Sequence, residues 1–318
     1  MGMTLDQLRI FLAVAQHLHF TRAAEELYIT QPAISAAIQN LENDYGVKLF
    51  DRIGRHVEIT AAGQMLQEEA KKILDQVVLT ERGLRELNNL QRGELKLGSS
   101  LTIGNYWLPS KLSQFKQQYP GISVHCTLGN TEAICVGTAT GLFDLGLIEG
   151  EVKPTLKSSL EQEVVASDRL VIVVGKSHPW FDRPVVTLAE LQTADWVMRE
   201  PGSGTQQRFE QALFNWGIDP TTLNVTLVFS SGNMVKAVVE SGVGAAAISE
   251  LMVTKELQLS TLRTIQVVST VESNGKASGK RSPKNPPAFE IVRPFLKLKH
   301  RQRFQTRLSA AFEQILIL

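Results

Sequence analysis

Two groups of residues have types and spacings that could do chemistry. The first lies in the stretch Phe20 to Leu41, FTRAAEELYITQPAISAAIQNL. Gln31, Ser35 and Gln39 recur at steps of four, so on a helix they share one face. Amide and hydroxyl groups so arranged, with Pro32 beside them, can read base edges in the DNA major groove. Thr21, Arg22 and Thr30 complete the expected DNA-binding set, and Arg52 and Arg55 further on are expected to hold backbone phosphate. The second group lies in four short turns: Ser99-Ser100-Leu101-Thr102, Gly129-Asn130-Thr131, Gly202-Ser203-Gly204-Thr205 and Ser230-Ser231-Gly232-Asn233. Each opens a predicted helix, where unpaired backbone N–H groups and the positive dipole end can hold an oxyanion. One such turn is explained by ordinary N-capping. Four together predict a small polar or anionic ligand, touched by Ser99, Ser100, Thr102, Asn130, Ser203, Gly204, Thr205 and Ser231. Glu149, ending its strand, joins this set and would repel an anion unless paired, with Arg199 the expected partner.

Other chemistries find no footing. Gly242 to Ala247 matches a dinucleotide fingerprint, but it leaves a helix and enters a strand, the reverse of the required order. The chain has no P-loop, nucleophile elbow or HExxH motif, so a catalytic role is the weaker alternative. Cys126 and Cys135 are the only cysteines and the six histidines lack ligand spacing, so neither metal nor cofactor is expected. Hydrophobic residues make up 43% of the 318, enough to fill the cores of two or three domains. No apolar run is long enough for a membrane span, and no basic-then-apolar leader opens the chain, so a cytoplasmic protein is expected. Residues 1–62 hold Lys or Arg at 9, 22, 48, 52 and 55 against Asp or Glu at 6, 25, 26, 42, 44, 51 and 58. That region is not a basic patch, which predicts few phosphate contacts per protomer and a need for several protomers on DNA.

The elements that must position these residues follow from periodicity. Ala23, Ala24 and Leu27 make one apolar helical face, and Ile34, Ile38 and Leu41 another, with a turn between that leaves Thr30 to cap the second helix. A helical hairpin in a core is the rival reading. Leu8, Phe11, Leu12 and Ala15 supply an earlier helix, Leu5–Leu18. Short strands at about Leu49–Arg52 and Val57–Ile59 form a wing, completing a winged helix-turn-helix. From Thr60 to about Leu90 one long helix carries a heptad seam, Leu66, Ala70, Ile73, Val77, Thr80, Leu84 and Leu87, read as a dimerising coil. Gln91, Arg92 and Gly93 look like a hinge. Beyond it, continuous apolar strands alternate with helices, which predicts a parallel α/β sheet. Helices are expected at Ile103–Gln118 and from about Arg301. Ser269 to Pro287 has no apolar period and reads as a surface loop bearing Lys276, Lys280, Arg281 and Lys284.

These residues resemble the LysR-type transcriptional regulators. Leu8, Phe11, Val14 and Ala15 match the family's opening motif. F-T-x-A-A-x-x-L, T-Q-P-A-I-S, L-E-x-x-x-G-x-x-L-F-x-R and T-x-A-G then follow in the family's order. The resemblance implies an α+β multidomain chain. A DNA-binding domain would span 1–62 and a linker helix 63–92, with an effector domain over 93–318. The last would be two α/β lobes like those of periplasmic binding proteins, lobe I about 93–165 and 270–318, lobe II about 166–269, with crossovers near 164–168 and 266–270. It also implies double-stranded DNA with an imperfect palindrome, a small-molecule effector, and a homodimer extended to a tetramer. A solute-binding protein is the other alternative, opposed by the winged motif. REPGSGT resembles a branch that includes regulators of carbon fixation and sulfur assimilation. Where that branch often has Arg, this chain has Gln206, which favours a neutral or singly charged effector. Ala36, Gln39 and Asn40 stand where the family often has Arg or Lys.

Overall fold

The structure is a computed structural model, and it describes residues 2–53, 56–88, 92–269 and 289–317, with only the backbone for 52, 53 and 85–88. Arg55, Gln91 and the four cations of the 269–287 stretch lie outside the described residues. The chain divides into two compact units, residues 1–88 and 89–318.

The first unit holds helices α1 (Leu5–His17), α2 (Phe20–Glu26) and α3 (Gln31–Tyr45), strands β1 (Phe50–Ile53) and β2 (His56–Ile59), and helix α4 (Ala61–Asn88). Thr4 and Gln7 form a reciprocal capping box that starts α1. Leu8, Phe11 and Val14 meet Ala23 and Ala24 of α2 and Ile34, Ile38 and Leu41 of α3 in one core, as their spacing predicts. Antiparallel β1 and β2 form the wing, from Phe50↔Ile59 to Ile53↔His56. Glu42, buried at the end of α3, anchors it. Its Oε1 accepts from the Leu49 N–H at 2.9 Å, and its Oε2 from Lys48 Nζ at 2.6 Å. Those bonds hold its carboxyl below the usual carboxylate range against the opposing effect of burial. Thr60 caps α4, its hydroxyl accepting from the Gly63 N–H at 3.0 Å.

Leu66 and Ala70 pack in the winged unit's own core. The exposed part of the seam therefore starts at Ile73, continues past half-buried Val77 and includes Leu84, which is 61% exposed. The Leu87 side chain lies outside the described residues.

In the second unit, β3 (Gly93–Ser100) leads into a π-helical turn (Ile103–Trp107) and α5 (Leu108–Gln118). Then come β4 (Ile122–Gly129), α6 (Thr131–Ala139), β5 (Leu145–Ile148), α7 (Pro154–Lys157), β6 (Leu160–Gly175), β7 (Val185–Thr187), α8 (Leu188–Thr193), β8 (Asp195–Arg199), α9 (Gly204–Asn215), β9 (Asn224–Phe229), α10 (Gly232–Glu240), β10 (Ala245–Ser249), α11 (Glu250–Gln258), β11 (Leu262–Val268), β12 (Ile291–His300) and α12 (Arg307–Ile317). The strands lie in the order β4-β3-β5-β12-β6-β10-β8-β9, with β11 joined to β6 and β7. Among the described residues no helix is long and apolar enough to cross a membrane.

The sheet differs from the expected all-parallel one. Lobe I is built on parallel β3, β4 and β5, and lobe II on parallel β8, β9 and β10. Between them run β6 and β12, antiparallel to each other from Leu160↔His300 to Leu170↔Ile291. β6 carries the chain from lobe I to lobe II through residues 164–168. β11 stays with lobe II, pairing with β6 and β7, so the return passes through β12 at its Phe295/Leu296 irregularity and not near 266–270. The polar start of β6 is held in the sheet by opposite charges across the strands: Lys297 with Glu163 at 2.6 Å and Lys299 with Glu161 at 3.2 Å. The expected helix from Ile103 is wound as a π turn before α5, and the last helix starts at Arg307.

Candidate functional site

The first site is the exposed start of α3. Thr30 occupies the N-cap position with extended backbone but makes no side-chain cap bond. Gln31 instead bonds within its own helix, Nε2 donating to Ser35 Oγ at 2.9 Å. Gln31, Pro32 and Gln39 are exposed and Ser35 is half-buried. Ser35 and Gln39 line a groove with Phe20, Lys48, Phe50 and Asp51, so the helix and the base of the wing share one surface. Thr21 and Arg22 stand exposed at the start of α2. Arg52 lies on β1, known by backbone alone. The helix start thus presents an amide–hydroxyl pair, with Ser35 sharing a groove with Lys48.

The second site lies between the lobes of the effector unit. The β3–π-turn junction brings Ser99, Ser100 and Thr102, all buried. The end of β5 brings Glu149, and the start of α6 Asn130 and Thr131. Lobe II contributes Ser203, Gly204 and Thr205 at the head of α9. The α9 terminus lies against lobe I so closely that a Cβ on Gly204 would sit 2.5 Å from Thr131 Oγ1 and 2.7 Å from the Gly150 nitrogen. The Glu132 N–H donates to the Gly202 carbonyl at 3.3 Å, and Tyr106 Oη donates to Asn233 Oδ1 at 2.6 Å, both across the cleft. Ser231 is half-buried at the head of α10, and neither Ser231 nor Ser203 makes a side-chain cap bond. Asn130 is different: its Oδ1 caps α6 by accepting from the Ala133 N–H at 2.9 Å, while Nδ2 reaches Glu200 across the cleft at 3.4 Å.

Arg293 is the residue that sequence reasoning missed. It is fully buried on β12, where its register partner on β6 is Asp168. Nε and Nη2 donate to Asp168 Oδ2 at 3.1 and 2.7 Å, and Nη1 donates to Thr205 Oγ1 at 2.9 Å. Nη1 also stands 3.6 Å from Glu149 Oε1. The expected pairing of Glu149 with Arg199 is therefore replaced by Arg293. Arg199 is held by Glu200 at 2.8 Å, its own chain neighbour. Burial pushes the Glu149 carboxyl above the usual carboxylate range, against the pull of Arg293, Thr102 and Arg199. Ser100 Oγ, Thr131 Oγ1 and Glu149 Oε2 are buried with no hydrogen-bond partner among the described residues. Met252, near Thr102 Oγ1 at 3.9 Å, was also unforeseen.

Both units match known proteins of one family. Residues 5–64 match the family described as bacterial regulatory helix-turn-helix protein, lysR family, and residues 88–296 match the LysR substrate binding domain. A probable RuBisCO transcriptional regulator of Trichormus variabilis is 35% identical over 268 residues, covering 84% of this chain and 80% of that protein. Among solved structures, full-length CbnR complexed with its target DNA shares the fold at TM-score 0.63 and 22% identity, covering 99% of each chain. The regulatory domain of Synechocystis PCC6803 CcmR, in complex with 2-PG, shares it at TM-score 0.58 and 21% identity, covering 71% of this chain and 96% of that one. A helix-turn-helix presented beside a wing, followed by two α/β lobes closed around buried polar groups, identifies the chain as a member of the LysR family: not an enzyme but a ligand-responsive, sequence-specific DNA-binding transcriptional regulator.

Proposed function

We propose that the effector is a small polar or singly charged anionic metabolite held between the lobes. Ser100 and Thr102 would contact it from one lobe, Ser203 and Thr205 from the other, with Thr131 and Glu149 between. The supporting observation is the set of buried, unpartnered atoms Ser100 Oγ, Thr131 Oγ1 and Glu149 Oε2. An unpaired buried polar atom costs about 1–3 kcal/mol, which a ligand meeting it would recover. Arg293 and Arg199 each already face a carboxylate, so a multiply charged anion finds little uncompensated positive charge. The test is thermal unfolding against small metabolites, then calorimetry with the best stabiliser on Thr102→Val. Loss of the hydroxyl should cost about 1–3 kcal/mol of affinity. Unchanged affinity would move the site elsewhere.

The same reading makes the protein a cytoplasmic homodimer or tetramer on an imperfect palindrome. Its support is exposed apolar surface on α4, at Ile73 and Leu84, and on the sheet's two edge strands, at Leu128 of β4 and Val225, Leu227 and Val228 of β9. Arg52 and Arg55 would hold phosphate. Ligand closure of the lobes would change how protomers pack, and with it half-site spacing or DNA bend.

A further inference from the structure

Glu149 poses a problem for any anionic effector: a carboxylate would sit in the middle of the site. Its surroundings resolve it. The residue is 3% exposed, at the carboxyl end of β5. Four groups face it from four different elements: Arg293 on β12, Asp168 on β6, Arg199 on β8, and the Thr102 hydroxyl after β3. Neither arginine is free to neutralise it. Arg293 gives two hydrogen bonds to Asp168, the closer at 2.7 Å, and a third to Thr205, and reaches Glu149 Oε1 only at 3.6 Å. Arg199 gives two to Glu200, at 2.8 and 3.1 Å. Oε2 meets nothing. A buried carboxyl whose nearby cations are matched by other acids is more stable carrying its proton.

We propose that Glu149 is a neutral carboxylic acid in the ligand-free protein and that it donates its proton, from the unpartnered oxygen, in a hydrogen bond to an oxyanion of the effector. This rests on the interlobe effector site proposed above. Effector capture is then linked to pH. The protonated form favours the anion; deprotonation replaces a donor with a like charge. Because burial raises this carboxyl's pKa, anion affinity is full at low pH and falls as pH rises through that raised value. Asp168 is paired with Arg293 at 2.7 Å.

The experiment uses the full chain and methanesulfonate, a singly charged oxyanion that does not titrate between pH 5 and 9. Infrared difference spectra of the ligand-free protein against Glu149→Gln should show a protonated-carboxyl stretch that disappears as pH rises. Calorimetry should show methanesulfonate affinity falling by up to about tenfold per pH unit above that transition. In Glu149→Gln, whose amide donates at every pH, affinity should stay flat. Absence of the carboxyl band at pH 5 to 7 overturns the proposal whatever the anion does. So does a band with no saturable binding, or a pH profile that Glu149→Gln leaves intact. The site reading fails separately if methanesulfonate binds with the expected profile and Thr102→Val leaves it unchanged.

Discussion

Gln31 and Ser35 occupy one another in the free protein, the amide of one donating to the hydroxyl of the other across a helical turn. That bond uses one of the two amide protons and fixes the plane of the amide. The second proton and the carbonyl oxygen remain, a donor and acceptor side by side, the pair an adenine edge requires in the major groove. Replacing Gln31 by Ala should cost about 1–3 kcal/mol at the specific site and little on random DNA. Ser35→Ala should show a smaller loss of the same kind, since it frees the amide without removing it. Fluorescence anisotropy on operator and scrambled duplexes decides; equal losses on both would end the base-reading assignment. These residues were legible because a recognition helix is a local pattern, and so were Ser99, Ser100, Thr102, Ser203 and Thr205, because a turn that opens a helix has a local signature. Arg293 and Asp168 were not. They lie 125 residues apart, and only strand register brings them together. The one local sign was a cation between Val292 and Pro294 inside an apolar strand.

Helix α4 shows how one periodic pattern can serve two surfaces. Its seven-residue repeat was read as a single dimer seam, yet Leu66 and Ala70 complete the core beneath α1, while Ile73 and Leu84 remain exposed. Periodicity reports which residues share a face; it does not report what covers that face. The two ends of the seam should therefore fail differently. Leu66→Ala leaves a cavity in the winged unit and should destabilise it by about 2–5 kcal/mol, with self-association unaffected. Leu84→Glu should leave the monomer's stability within about 0.5 kcal/mol and weaken the dimer. Chemical denaturation read beside sedimentation separates the two. A dimer indifferent to Leu84→Glu would exclude that face from pairing. Strand β6 carries a similar lesson. Its first half, Leu160 to Asp168, did not read as strand, because its polar Glu161 and Glu163 are matched by Lys299 and Lys297 of β12, a pairing no local pattern shows.

At the scale of the effector unit, alternation of strands and helices disclosed two α/β lobes, but not the antiparallel pair that joins them, since direction depends on where the chain returns. That pair matters because lobe closure must bend or slide about β6 and β12, and the closed arrangement has a tight point that a single methyl group can probe. A Cβ on Gly150, just past Glu149 in lobe I, would lie 2.7 Å from Gly204 Cα at the head of α9 in lobe II, and 2.9 Å from Thr131 Cγ2. Backbone cannot yield as a flexible side chain does, so Gly150→Ala should hold the lobes apart at this edge. The Glu132–Gly202 bond beside it would lengthen, and Arg293 would lose its hold on Thr205. An effector that needs both lobes should then bind at least about tenfold more weakly, roughly 1.4 kcal/mol. Binding of ligand-free protein to operator DNA should persist, because the winged unit has a core of its own. X-ray scattering on the isolated span 89–318 would miss so small an opening. The better readout is hydrogen exchange at the first turns of α6 and α9, which should quicken in the variant and no longer slow when effector is added. Unchanged affinity with unchanged exchange would mean that this contact is incidental and that closure is governed elsewhere along the cleft.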